Sequence, residues 1–128
     1  MANAYGEAAV AAAKLSQNGS DPRDAWKGVV KTDKPCPKGT FLGLCEAGLI
    51  VGVRGAAPGT YTKPNDPAHS NKLYGEVAAD LLREYVTPPK PDVLWFKVFE
   101  KLGYQLKKYR NQQMHVVIAL WNAGLIRR

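Results

Sequence analysis

Residues 41–50, Phe-Leu-Gly-Leu-Cys-Glu-Ala-Gly-Leu-Ile, have the pattern of the last turns of an apolar helix that ends at a glycine. The pattern returns at residues 117–126, which read Val-Ile-Ala-Leu-Trp-Asn-Ala-Gly-Leu-Ile. Many helices are followed by a residue in the left-handed conformation, which glycine adopts without a Cβ clash. The two stretches therefore predict two helices of one kind, each followed by a leucine that folds back onto the last turn.

The repeat extends upstream of these two stretches. Tyr-Gly-Glu at residues 5–7 returns at residues 74–76, an offset of 69 residues. A proline and a tryptophan return at the same offset, and these are Pro22, Trp26, Pro91 and Trp95. The offset is 76 at the two Ala-Gly-Leu-Ile ends, so the second copy has seven extra residues between its second and third helices. A fixed-offset repeat of this kind indicates an internal duplication.

Apolar residues at helical spacing predict three helices in each copy, and Asp21 is the expected N-cap of the second helix. We therefore predict an all-α single domain over residues 1–128, with repeat 1 at residues 3–50, a connector at residues 51–66 and repeat 2 at residues 67–128. A unit of about 50 residues buries little apolar surface alone. The two units are therefore expected to pack around a pseudo-twofold axis, with the three tryptophans at or near the common core.

The connector has two β-branched runs on either side of a Gly/Pro turn at residues 55–59. This order is typical of a short β-hairpin, which would cover residues 50–63. A plain extended linker is the alternative, since Gly52 weakens the first strand.

The formal net charge is +7, and the excess lies in the last part of the sequence. Residues 101–128 contain six basic and no acidic side chains. Such a block suits an anionic partner. The alternative is a solvated basic edge that serves only solubility.

Two kinds of segment are missing from the sequence. The first residues lack a charged region followed by a long apolar run, so no signal peptide is expected. No stretch reaches the roughly 18 apolar residues that a membrane span needs. We therefore expect a soluble, cytoplasmic protein without a membrane partner.

Residues 36–50 carry the motif Cys-Pro-Lys-Gly-Thr-Phe-Leu-Gly-Leu-Cys-Glu-Ala-Gly-Leu-Ile, followed by Tyr-Thr-Lys at 61–63 and Asn-Gln-Gln-Met-His-Val-Val at 111–117. These motifs resemble a family of small bacterial proteins with no assigned function. The resemblance covers nearly the full length, because the opening Tyr-Gly-Glu-Ala-Ala and two of the tryptophans fit too. It implies a bacterial or mobile-element origin and supplies no activity, substrate or catalytic residue.

The first functional hypothesis is nucleic-acid binding, because the order of helices and hairpin is that of a winged helix-turn-helix. The third helix of the first copy offers small and apolar side chains, which cannot read base edges. The second copy offers cations for phosphates and polar side chains at a helix N-terminus. The predicted nucleic-acid site is Lys107, Lys108, Tyr109, Arg110, Asn111, Gln113 and His115. Against this hypothesis, no wing follows Arg128, and the tyrosines near this site can instead pack the loop down.

The second hypothesis is a protein-interaction or small-ligand module that uses the cleft between the repeats, with a homodimer as one form of partner. The residues predicted for this cleft are Glu7, Trp26, Glu76 and Trp95. The structural interpretation of the same four residues is that each glutamate accepts a hydrogen bond from the indole N–H of its own copy's tryptophan.

The third and least favoured hypothesis is a cysteine-dependent enzyme. Cys36 lies between two lysines at a helix N-terminus, an environment that lowers the pKa of a thiol, and the pseudo-twofold axis could bring His115 near it. No orienting group or oxyanion motif is visible, so no catalytic residue is assigned. Two cysteines and two histidines give no recognisable zinc spacing, and neither a metal nor another cofactor is expected.

Overall fold

Six α-helices make up most of the residues that the structure describes. The computed structural model describes residues 3–63, 67–105 and 111–128, apart from the side chains of residues 67–69. The helices are α1 (Ala4–Gln17), α2 (Pro22–Val29), α3 (Pro35–Glu46), α4 (Pro67–Leu82), α5 (Pro91–Leu102) and α6 (Gln113–Asn122). The described residues contain no β-strand, so the prediction of a mainly helical fold is confirmed.

Local sequence signals determine where several helices begin. α2 and α5 both begin at a proline, whose missing N–H would have no helical partner at the first position. Asp21 caps α2 as predicted, since its Oδ1 accepts the backbone N–H of Arg23 at 2.8 Å. Asn3 caps α1 by accepting the backbone N–H groups of Tyr5 and Gly6. Each cap satisfies donors that the first turn of a helix leaves without a partner.

The ends of α3 and α6 have the same geometry. Each helix is followed by a left-handed glycine, Gly48 with φ 75° and Gly124 with φ 72°. The leucine after each glycine donates its backbone N–H to the carbonyl five residues earlier, at 3.0 Å after α3 and 2.9 Å after α6. This is the bonding of a Schellman motif. The predicted helix ends, with a leucine turned back, are therefore confirmed.

The two helix ends meet in the core. Ile50 and Ile126, both buried, form an isolated antiparallel bridge. The residue after each isoleucine donates its backbone N–H to the carbonyl of the residue before the other isoleucine, and both hydrogen bonds are 2.8 Å long. The two isoleucines are 76 residues apart, which is the offset between the repeated helix ends. Each end therefore contacts the other through equivalent positions.

The connector forms no β-hairpin in the described residues. The first β-branched run turns away at Gly52, which has φ 74°, and its Ile50 pairs with Ile126 instead of with residues 60–63. The backbone N–H groups of Tyr61 and Thr62 are bound by a side chain of α3 and not by a second strand. Residues 51–63 are a linker with turns at 51–52 and 58–59 and bends at 60–62, so they are not extended throughout, and residues 64–66 of the predicted connector lie outside the described residues.

The three tryptophans are buried in the helical core, as predicted. Trp26 is fully buried and stacks on Phe41, with the ring centroids 5.5 Å apart. Trp95 packs against Phe99 with the centroids 4.7 Å apart. Trp121 is also buried. The aromatic side chains therefore form one cluster around each of the first two tryptophans.

α3 and α4 approach each other closely because glycines lie where they cross. A Cβ added at Gly43 of α3 would lie 2.6 Å from the Cα of Lys72 on α4. A Cβ added at Gly75 of α4 would lie 3.1 Å from the methyl carbon of Thr40. The first of these distances is shorter than any ordinary carbon contact, so only glycine fits at position 43.

We expect Gly43→Ala to lower the free energy of unfolding by about 1–3 kcal/mol, the usual effect of overpacking a tight contact. Gly28→Ala is the matched control, because Gly28 is exposed on α2 and an added Cβ meets nothing within 4 Å. Since alanine is the better helix former, the control should be neutral or up to about 1 kcal/mol more stable than the parent. Urea denaturation measures both, and a Gly43→Ala variant as stable as the parent would contradict the packing described.

Candidate functional site

Glu46, the last residue of α3, is a buried carboxylate with four hydrogen-bond donors around it. Its Oε1 accepts the backbone N–H groups of Tyr61 at 2.8 Å and of Thr62 at 3.1 Å. Its Oε2 accepts the hydroxyl of Thr62 at 2.7 Å and the ammonium of Lys72 at 2.6 Å. The side chain thus ties the connector to α3 and pairs α3 with α4.

These donors control the charge of the carboxyl group. Burial alone would raise the pKa of Glu46, but the hydrogen bonds from Lys72, Tyr61 and Thr62 outweigh burial and lower the pKa from 4.5 to about 2. Glu46 belongs to no motif that marks a functional site in the sequence. The available signal was a lone carboxylate inside an apolar helix end, which requires a partner if it is buried.

We expect the protein to lose stability in acid through Glu46. Its folded-state pKa is the lower one, so its contribution is present above pH 4.5 and is lost as the pH falls towards 2. Between pH 5 and pH 3 the loss should be about 2 kcal/mol. Glu46→Gln has no titratable group at this position and should lack this part of the loss. Urea denaturation of both proteins at the two pH values measures the difference, and equal losses would refute the assignment.

A groove of about 590 Å³ lies between α1 and α6. This volume is within the range of small-ligand sites. The α1 side is formed by Gly6, Glu7, Val10, Ala11 and Lys14. The α6 side is formed by His115, Ile118, Ala119 and Asn122, and Asn3 and Pro91 complete the lining.

Small side chains create this groove. An added Cβ at Gly6 would lie 2.8 Å from the Cβ of Ala119 and 3.1 Å from the carbonyl oxygen of His115, so α1 and α6 are in contact at Gly6. The apolar residues of the lining are only half-buried, among them Val10 and Ile118. The groove is therefore an open surface with an apolar floor.

Two charged residues lie on the α1 side of the groove. Glu7 and Lys14 are exposed, and neither side chain forms a hydrogen bond or an ion pair with the part of the chain that the structure describes. His115 is half-buried on the α6 side. A bound molecule can therefore meet one free carboxylate and one free ammonium beside an apolar floor.

A second cavity, of about 470 Å³, lies on the other side of α1. It is formed by α1 and residues 29–32, and it shares Glu7 and Ala11 with the groove. The α1–α6 groove is the larger of the two and lies between the first and the last of the described helices. For this reason we treat it as the candidate site.

The predicted nucleic-acid site is only partly within the described residues. Lys107, Lys108, Tyr109 and Arg110 lie outside them. Gln113 is 4% exposed, its Nε2 donates to Oδ1 of Asn71 at 3.1 Å, and its Oε1 accepts the backbone N–H of Asn111 at 2.6 Å. Gln113 therefore joins α6 to α4 and offers a nucleic acid no free amide.

The other two predicted residues that are described lie elsewhere. Asn111 is half-buried and its backbone is bound to Gln113, as above. His115 lines the α1–α6 groove. The first turn of α6 is therefore used largely for packing.

The predicted pairing of Glu7 with Trp26 is wrong. The indole N–H of Trp26 donates to Oδ1 of Asp33 at 3.0 Å. Asp33 lies four residues after the end of α2, which carries Trp26. The indole N–H of Trp26 is therefore bound by a residue nearby in the sequence and not by Glu7 of α1. Trp26 and Trp95 are both buried in the core and do not line the groove. Of the four predicted cleft residues, Glu7 lines the groove and Glu76 does not.

The cysteines do not form a catalytic pair with His115 in the groove. Cys36 is half-buried and does not line the groove on which His115 lies. Burial raises the pKa of the Cys45 thiol to about 12, which makes this thiol unreactive. Among the described residues, no three His, Cys, Asp or Glu side chains are grouped closely enough to hold a metal ion. In the same residues no helix has the length and apolar character needed to cross a membrane.

The fold and the groove define a small helical domain with an open, mainly apolar groove between its first and last helices. The chain belongs to a family of unknown function, DUF6979, whose family model matches residues 2–127. This membership confirms the prediction of an uncharacterised family. No curated protein and no solved structure matches the chain.

Proposed function

We propose that the protein is a binding module that takes a small ligand or a segment of a protein partner in the α1–α6 groove. The observation that carries the proposal is the combination of a volume of about 590 Å³ with a half-buried apolar floor. Sites for ligands are concave, mostly apolar and carry a few polar groups that fix orientation. Glu7 and Lys14 are such groups, and neither side chain is paired with another described residue.

We also propose that the domain arose by duplication of a three-helix unit. The equivalent bonding of the two helix ends and the bridge between Ile50 and Ile126 support it. The proline at the start of both α2 and α5 supports it too. On this proposal the groove lies between the first helix of one copy and the third helix of the other.

Binding in the groove is tested with an aromatic fragment library and amide chemical shifts. Compounds that bind should shift the resonances of Val10 and Ile118. Ile118→Asp should weaken their binding at least tenfold, because a charge replaces part of the apolar floor. Leu15→Asp is the matched control, since Leu15 is exposed on α1 and does not line the groove. It should leave binding unchanged.

Ala11→Leu provides a second variant if Ile118→Asp unfolds the protein. The larger side chain fills the groove without adding a charge, and it should also exclude the compounds. Compounds that bind only at other places, or that bind all variants equally, would remove the proposal.

Nucleic-acid binding through the C-terminal basic block is a second proposal. The observation that favours it is the charge pattern, six basic and no acidic side chains over residues 101–128. Lys101, Arg127 and Arg128 are exposed within the described part of this block. We also propose a cytoplasmic location, together with the bacterial or mobile-element origin that the resemblance implies.

The second proposal is tested by a mobility-shift assay at low salt on duplex and single-stranded DNA and RNA. Lys107, Lys108 and Arg110 changed together to alanine should abolish binding or lower the log–log salt slope by roughly 3. The control changes the three exposed lysines Lys27, Lys31 and Lys90 to alanine, which removes the same charge elsewhere. No shift with any of the nucleic acids, or equal effects of the two triple variants, would eliminate this proposal.

A further inference from the structure

We infer that the protein forms a symmetric dimer in which the α1–α6 grooves of two copies face each other and their α1 helices pack antiparallel. The inference rests on the proposed binding function and names the protein partner of the groove as a second copy of this chain. It starts from the charges on the groove side of α1.

The groove side of α1 carries one acidic and one basic side chain on either side of an apolar centre. Glu7 and Lys14 are exposed and line the groove, and neither is paired with another described residue. They are seven residues apart, which is about 10 Å along the axis and nearly two full turns, so they lie on one side of the helix. Val10 and Ala11, both half-buried, lie midway between them. Opposite charges therefore stand at equal distances from one apolar midpoint.

This charge pattern is complementary to itself in one orientation. A twofold axis through the midpoint of Val10 and Ala11 brings two antiparallel α1 helices together, and Glu7 of each copy then lies opposite Lys14 of the other. Antiparallel helices also place their dipoles in the favourable orientation. Parallel helices would put each charge opposite its own copy, and like charges across an interface repel. The charges therefore select the antiparallel dimer.

The apolar floor of the groove meets around the same axis. Val10 of α1 and Ile118 of α6 are both half-buried and both line the groove. When two grooves face each other, these side chains of both copies come together at the centre, and the two ion pairs lie at the edge. A centre of apolar residues with a polar rim is the usual anatomy of a protein interface. The second copy therefore removes from water the apolar surface that the groove exposes.

The size of the helix limits how strong this dimer can be. α1 has 14 residues and is therefore about 21 Å long. Two helices of this length and the adjoining turns of α6 bury about 1,200 Å² or less in total, which is the range of weak and transient interfaces. We therefore expect monomer and dimer to exchange at concentrations between about 10 μM and about 1 mM.

Sedimentation equilibrium of the full chain over this concentration range measures the dissociation constant. Glu7→Lys makes the face entirely basic and Lys14→Glu makes it entirely acidic, so each variant should weaken its own dimerisation at least tenfold. An equimolar mixture of the two variants should associate at least as tightly as the parent, because each basic face then meets an acidic one. The double variant Glu7→Lys, Lys14→Glu exchanges the two charges and should dimerise as the parent does.

The matched controls make the same charge changes elsewhere on the surface. Asp24→Lys and Lys27→Glu alter two exposed residues of α2 that do not line the groove. Each control, alone or mixed with the other, should dimerise as the parent does. Ile118→Asp places two carboxylates at the centre of the interface and should also weaken dimerisation at least tenfold.

Each negative result has one meaning. If the parent stays monomeric throughout the concentration range, the inference is wrong, and the proposed function stands provided that aromatic fragments still shift Val10 and Ile118. If neither dimer nor fragment complex forms, both fall. If the parent dimerises but Glu7→Lys and Lys14→Glu dimerise equally well alone, the copies meet on another face and the inference is wrong. Failure of the mixed variants to associate would refute it too.

Discussion

The bonding of Glu46 is the constraint on which the arrangement of the domain depends. A carboxylate with 2% exposure is tolerated in a protein interior only when its oxygens are fully paired. Here the donors come from two separate places, the connector and α4, so the carboxylate fixes both relative to α3. The close approach at Gly43 serves the same pair, because it brings the main chain of Lys72 against α3 and lets the ammonium reach Glu46. The path of the connector follows from this one group.

The ends of α3 and α6 share their backbone hydrogen bonds and differ in this pair. Ile50 and Ile126 meet through equivalent hydrogen bonds, yet the charges of Glu46 and Lys72 correspond to the amides of Asn122 and Asn3. The carboxylate of Glu46 binds the backbone N–H groups of residues 61 and 62, whereas the side chain of Asn122 forms no hydrogen bond with the described residues. The two helix ends therefore have different surroundings although their backbone hydrogen bonds are equivalent.

The helices were predictable from the sequence because their signals are local. A proline and a cap begin α2, and Gly48 ends α3, each within a few residues of the boundary. The bridge between Ile50 and Ile126 was not predictable in this way, since the two residues are 76 positions apart and a local β-branched run suggested a hairpin instead. The acceptor of the Trp26 indole was mispredicted for the opposite reason, because Asp33 is only seven residues away in the sequence whereas Glu7 lies on another helix.

The groove was the feature hardest to predict, because it forms where small side chains leave space that larger ones would fill. Glycine and alanine at helical spacing indicate close packing between helices, and at Gly6 they provide it. A small residue at Ala11 instead leaves an apolar surface half-exposed. Exposed apolar area costs about 25 cal/mol per Å², and one larger side chain at Ala11 would cover part of it. Stabilising changes of this kind often reduce function when they fill a working site. A groove left open by small side chains is what the proposed binding function requires.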